Sequence, residues 1–231
     1  MRGYLNQVLE YLPDRLAEPP WKGRCRMEGL DGVLRARQNG RPVILAFFHF
    51  SAYRLARIWL RSAGVPAAAL LGGKAESRAK VDRLSDQLSP FPEVPTVFYQ
   101  DQLREVNAFL AGRNTLLIAL DAAAGKQMNV PVCAGWIHHM ATGAVRLAIR
   151  HRAELIPIAV IDEGRWRYHV ILGHPVPAEY LAADGDCVRA GKHLLDELLP
   201  HFRNHTELCT DRFARFFQPA PPIVLEGKLS G

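Results

Sequence analysis

The chain contains no run of the roughly 18 to 20 uninterrupted apolar residues that a membrane-crossing helix requires. Its N-terminus also lacks the basic, apolar and small-residue succession of a signal peptide. The expectation is a cytoplasmic protein, with any membrane contact peripheral and at the inner face. Cysteine is scarce: Cys25, Cys133, Cys187 and Cys209 lie far apart without a CxxC pair, so free thiols are expected rather than a zinc site or a disulfide framework. A GxSxG elbow, a Walker A loop and a dinucleotide fingerprint are all missing, which leaves serine hydrolase, nucleotide hydrolase and dehydrogenase readings without support. His138 and His139 are adjacent and point in different directions, and no carboxylate or cysteine stands at ligand spacing, so no metal is expected. Helix-turn-helix and zinc-finger spacings are absent, as is the interleaving of aromatic and basic residues of an RNA-binding sheet. Nucleic acid is therefore not an expected partner.

What is present is a chain of 231 residues, 48% hydrophobic and 23% charged, long enough for one core burying roughly 70% of its unfolded surface. The formal net charge of +6 favours acidic partners: an anionic membrane surface, an acidic carrier protein or a phosphorylated substrate. Three regions are expected: an amphipathic helix and linker over 1–21, an α/β domain over 22–217, and a loosely packed Pro-rich tail over 218–231.

In the first of these, Tyr4, Leu5, Val8, Leu9, Leu12 and Leu16 recur at helical spacing within Arg2–Ala17, and Pro19 and Pro20 end the pattern. Apolar runs and helical stretches then alternate. Strands are expected at Val43–Phe48, Ala67–Leu71, Thr96–Tyr99, Thr115–Leu120 and Glu154–Ile161. Helices are expected at Ser51–Ala63, Glu76–Leu88, Asp101–Ala111 and Ala141–His151. This rhythm is that of an α/β protein with a mainly parallel or mixed sheet flanked by helices. Arg165–Leu172 reads as a strand returning beside its predecessor, and Asp186–Phe202 as a surface helix.

Ligands of open α/β sheets collect beyond the carboxyl ends of the strands, and the run Val43–Phe48 delivers His49 and Phe50 to such an edge, with Ser51 placed to cap the next helix. Leu116–Leu120 delivers Asp121 in the same way, ahead of a small-residue turn. Either side chain can also be structural: a packed histidine, and a carboxylate that caps a turn. The stretch Ala141–Ala148 opens a helix with Thr142 and Gly143 near its start and Arg146 one turn inside, an arrangement that suits an anion or simply begins a helix.

Taken in order, these segments resemble the lipid A biosynthesis acyltransferase family, within the lysophospholipid acyltransferase-like superfamily. The matching stretches are Gly29-Leu30-Asp31, Val43–His49, Asp101–Arg104 leading through Leu110-Ala111-Gly112 to Leu117–Asp121, Val130–Gly135, Ala141–Ala148, Ile156-Pro157-Ile158 and Glu207–Phe213. The resemblance covers about four-fifths of the chain and implies a glycerolipid-acyltransferase-like fold. It also implies catalysis by a His-x4-Asp/Glu motif in which the carboxylate orients an imidazole that deprotonates the attacking acceptor.

Here the motif reads from His49 to Arg54, so arginine stands where the family has its acid. Four consequences are open: Asp121 or another carboxylate replaces the partner through space, the acceptor is an amine, Arg54 binds an anionic substrate, or catalysis is lost. The resemblance implies an acyltransferase moving an acyl chain from acyl carrier protein phosphopantetheine or coenzyme A to an amine or hydroxyl on a small-molecule or carrier-bound acceptor, with no other cofactor. Because Arg2–Ala17 is a weak substitute for the family's membrane anchor, natural-product assembly suits the chain better than lipid A synthesis. In that scheme His49 is the base with Asp121 as candidate partner. Thr142, Gly143 and Arg146 hold the acceptor or an oxyanion, Arg54 meets an anion, and Phe50 and Trp136 line an acyl path. A degenerate binding module and a thioester hydrolase are the alternatives.

Overall fold

A computed structural model describes residues 23–72, 94–95, 97–123, 125–133, 135–182 and 186–220. The helices expected at Arg2–Ala17 and Glu76–Leu88 lie outside the described residues. Among the described residues the chain is α/β. Its main sheet has seven strands in the order β1 (Cys25–Glu28), β9 (Arg167–Leu172), β8 (Glu154–Gly164), β2 (Val43–Phe47), β5 (Thr115–Ala119), β3 (Ala67–Leu71) and β4 (Val97–Tyr99). All neighbours in it run parallel except β8 and β9, which pair antiparallel. The helices are α1 (Leu30–Gln38), α2 (Ala56–Ser62), α3 (Leu103–Ala111), α4 (Gly143–His151), α5 (Cys187–Asn204) and the short α6 (Asp211–Ala214).

β2 explains why the sheet sits at the centre. Its five residues are all apolar and all buried, as a parallel strand covered on both faces requires. Alternation splits them between two cores. Val43, Leu45 and Phe47 pack with Val33, Leu55, Ile58 and Trp59 from the α1 and α2 side. Ile44, Ala46 and Phe48 pack with Leu110, Val145, Leu194 and Leu198 from the α3, α4 and α5 side. Each buried side chain of this size stabilises the fold by about 1.5–3 kcal/mol relative to exposure, so the strand is fixed in register from both faces.

A second, antiparallel sheet of three strands lies in the order β10 (Phe217–Pro219), β7 (Trp136–Ala141), β6 (Gln127–Cys133). The Ala141 N–H donates to the Leu120 carbonyl over 2.7 Å, which ties the end of β7 to the exit of β5. β10 takes Gln218 and Pro219 into pairing with Ile137 and Trp136, so ordered structure reaches into the segment expected as a tail.

Two local expectations are corrected. The helix expected over Ser51–Ala63 is a 3-10 turn at Tyr53–Leu55 followed by α2. Ser51 caps neither: its φ of 51° is left-handed, and its hydroxyl accepts instead from the Asp162 N–H of β8 at 2.9 Å. The chain must turn sharply to leave β2, and β8 holds that turn, with the Ala52 N–H also donating to the Val160 carbonyl.

Candidate functional site

Register brings His49 and Asp121 together. Phe47 pairs with Ala119 in the parallel β2–β5 ladder, and the Leu120 N–H donates to the Phe47 carbonyl over 2.8 Å. His49 and Asp121 each lie two residues beyond that matched pair, at the carboxyl ends of adjacent strands. Their Nδ1 and Oδ1 atoms stand 2.7 Å apart, and the His49 N–H donates to Oδ2 over 2.9 Å. Asp121 is wholly buried, and two N–H donors compensate its removal from water.

This geometry sets the chemistry of the ring. A carboxylate accepting from Nδ1–H holds the imidazole in one tautomer, leaving the Nε2 lone pair as the base. Nε2 makes no hydrogen bond among the described residues, and it is not one of the sealed, unsatisfied atoms; the side chain retains 8% exposure. An imidazole, a carboxylate that orients it and a ring nitrogen without a hydrogen bond are therefore in place, as general-base chemistry would require.

Tyr53 completes one wall. Its ring lies edge-on to His49 at 4.6 Å between centroids and stacks on Phe47 at 5.7 Å. Arg54, exposed, donates from Nε to the Tyr53 hydroxyl at 3.0 Å, with its guanidinium 5.7 Å from the Tyr53 ring centre. The carboxylate against His49 thus comes from the chain just beyond β5, and Arg54 stands beside Tyr53.

The C-terminal segment closes over the same loop. The Thr210 hydroxyl donates to the His49 carbonyl and accepts from the Phe213 N–H at 3.1 Å, while the Ser51 N–H donates to the Leu208 carbonyl. The sequence assigns no role to Thr210 or Tyr53: the former lies within the matching stretch Glu207–Phe213, the latter inside the His49-to-Arg54 motif at none of its key positions.

The other residues singled out in sequence are placed as follows. Phe50 is 2% exposed and packs on Phe202 and Phe213, because strand parity turns it to the face opposite His49. Trp136 is 46% exposed on β7, paired with Pro219, and no ring contact joins it to His49. The Thr142 hydroxyl donates to the Lys126 carbonyl at 3.0 Å and is committed to that turn. Gly143 opens α4 with open space where a side chain would stand, and Arg146 is exposed one turn on.

His138 is the unanticipated neighbour. It is fully buried, neither ring nitrogen has a hydrogen-bond partner among the described residues, and Phe48, Phe213, Phe216 and Phe217 surround it. Burial pushes its pKa down to about 4, against the opposing pull of the Asp121 charge. All four cysteines are free thiols, and burial pushes that of Cys25 up to about 12. Compared with known proteins, the chain matches no family model and no curated protein.

Proposed function

We propose that the chain is an acyltransferase in which His49, oriented by Asp121, serves as general base. The single observation that carries the reading is the 2.7 Å contact between His49 Nδ1 and Asp121 Oδ1 at the ends of adjacent parallel strands. It supplies by another route the acid that the His-x4-Asp/Glu motif lacks at Arg54, and so supports the resemblance to the lipid A acyltransferase family and its glycerolipid-acyltransferase-like fold. Nε2 takes the proton of the acceptor hydroxyl or ammonium-derived amine as its oxygen or nitrogen attacks the thioester carbonyl. The C–S bond breaks, and the departing thiolate receives that proton from the imidazolium. The donor is acyl carrier protein or acyl coenzyme A; the net positive charge suits the acidic surface of the former.

The test is product analysis by mass spectrometry after incubation with palmitoyl-coenzyme A, or the palmitoyl carrier protein, and a panel of amines and alcohols. An acylated product that His49→Ala no longer forms is expected. Unchanged transfer by His49→Ala overturns the mechanism. Release of free acid alone moves the chain to thioester hydrolysis, and saturable binding with no covalent change moves it to a binding module.

A further inference from the structure

The edge of the sheet opposite His49 gathers three arginines by the same register that aligns the pair. Val43 of β2 pairs with both Thr115 of β5 and Glu154 of β8, and Arg41, Arg113 and Arg152 each stand two residues before those three positions. All three line one cleft of about 340 Å3, together with His151, Pro42 and Leu110. That volume is near the lower end of those that hold small ligands. Arg41 precedes β2 and His49 follows it, eight positions on, roughly 26 Å when extended, so the two sites are at opposite ends of one strand.

Two of these arginines hold costly backbone positions. Arg113 and Arg152 have φ of 62° and 50°, just past the ends of α3 and α4, where glycine avoids the strain that a side chain incurs. A cation near a helix C-terminus is favourable in itself. Yet neither guanidinium bonds to a helix carbonyl or to a carboxylate among the described residues, so capping does not account for them. Arg41 alone is neutralised, by Glu154, and it also donates to the Arg152 carbonyl at 3.3 Å. Among the described residues no acidic side chain lines the cleft. His151 Nε2 is engaged with Asn107 Oδ1 at 2.8 Å.

We propose that this cleft binds a doubly charged oxyanion of phosphate-monoester type, carried on a small organic body that packs against Leu110 and Pro42. Two unpaired guanidiniums match a dianion in charge, and their planar forks match phosphate oxygens in geometry. A carboxylate brings half that charge. The site is separate from the His49–Asp121 pair and does not depend on acyl transfer.

Isothermal titration of the full chain with phenyl phosphate tests it, with benzoate as the singly charged comparison. Saturable binding is expected, at least about tenfold tighter for phenyl phosphate than for benzoate. Arg113→Asn and Arg152→Asn, which keep a residue tolerant of left-handed φ, each weaken it about tenfold or more, the loss of one charge-assisted hydrogen bond. Arg203→Asn, an equal loss of charge at an exposed position of α5, and His49→Ala leave it within about twofold. Absence of saturable binding, equal affinity for benzoate, or an equal loss in Arg203→Asn, which would mean diffuse attraction to a positive chain, each overturn the proposal.

Discussion

His49 and Asp121, 72 residues apart in the chain, share two contacts: ring nitrogen to one carboxylate oxygen, main-chain N–H to the other. The carboxylate therefore positions both the loop and the ring it carries. Asp121→Asn keeps the shape but replaces one acceptor oxygen with an amide donor, so the ring loses its enforced tautomer. A fall in kcat of about 10^3 to 10^4 is expected, by analogy with triads whose acid is amidated. Nitrogen NMR of His49 gives a readout free of activity: the Nδ1–H form in the parent protein and a mixture of tautomers in Asp121→Asn. Arg54→Gln provides the contrast, with kcat within about tenfold and any effect confined to KM. A kcat for Arg54→Gln as low as that for Asp121→Asn would contradict the assignment of Asp121 as partner.

His138 makes stability depend on pH. Its folded pKa of about 4 lies below the ordinary value of 6.5, so the unfolded chain takes up the proton first. Its contribution is complete at neutral pH, falls as pH drops through 6.5, and levels off below 4 after a loss on the order of 3 kcal/mol. His151 and His169, also held below their ordinary value chiefly by burial, act in the same direction. Urea midpoints should therefore decline between about pH 7 and pH 4, and decline less in His138→Phe, which removes both unpaired ring nitrogens at this position. Identical slopes for the two proteins would refute the prediction.

Gly29 joins β1 to α1 at a φ of 77°, and a Cβ there would lie 2.0 Å from the Leu172 carbonyl oxygen of β9. A main-chain atom cannot swing aside as a side chain does. Gly29→Ala is expected to cost on the order of 3 kcal/mol, strain and overpacking together, as measured by denaturant unfolding. Gly64→Ala is the companion: φ is 78°, yet nothing among the described residues stands within 4 Å, so only the backbone term remains and the loss is smaller.

Thr210→Val removes the donor to the His49 carbonyl and the acceptor for the Phe213 N–H. A loss of about 1–2 kcal/mol in stability is expected, with a lower kcat at unchanged KM because the base loop loosens while the substrate contacts remain. Steady-state kinetics on soluble, folded variant checks this; a change in KM alone would count against a positioning role.

The strands whose character is wholly or almost wholly apolar were readable from the sequence. Ala67–Leu71 has the expected bounds, and Val43–Phe47 and Thr115–Ala119 fall one residue short of theirs, each where the chain leaves the sheet towards the site. What escaped, apart from the helix α1, was structure made by pairing rather than by composition. β1 alternates half-buried and exposed residues over only four positions, and β6 carries Pro131 on an outer strand of a small sheet, where a missing N–H costs little. His49 and Asp121 were each visible as the polar residue that ends an apolar run. That they meet depends on the Phe47–Ala119 register, which no local pattern encodes. Likewise the isolation of His138 follows from aromatic residues of the C-terminal segment closing around β7, a tertiary arrangement invisible in the pair His138-His139.

The contact from Thr210 back to His49 spans 161 residues. On a ribosome the strand that bears His49 emerges early, whereas the segment that clasps its loop emerges only after β8, β9 and α5 have been made. All seven strands of the main sheet are made before that clasp arrives, so a nascent chain halted after α5 would hold the whole sheet with its His49 loop still unlatched.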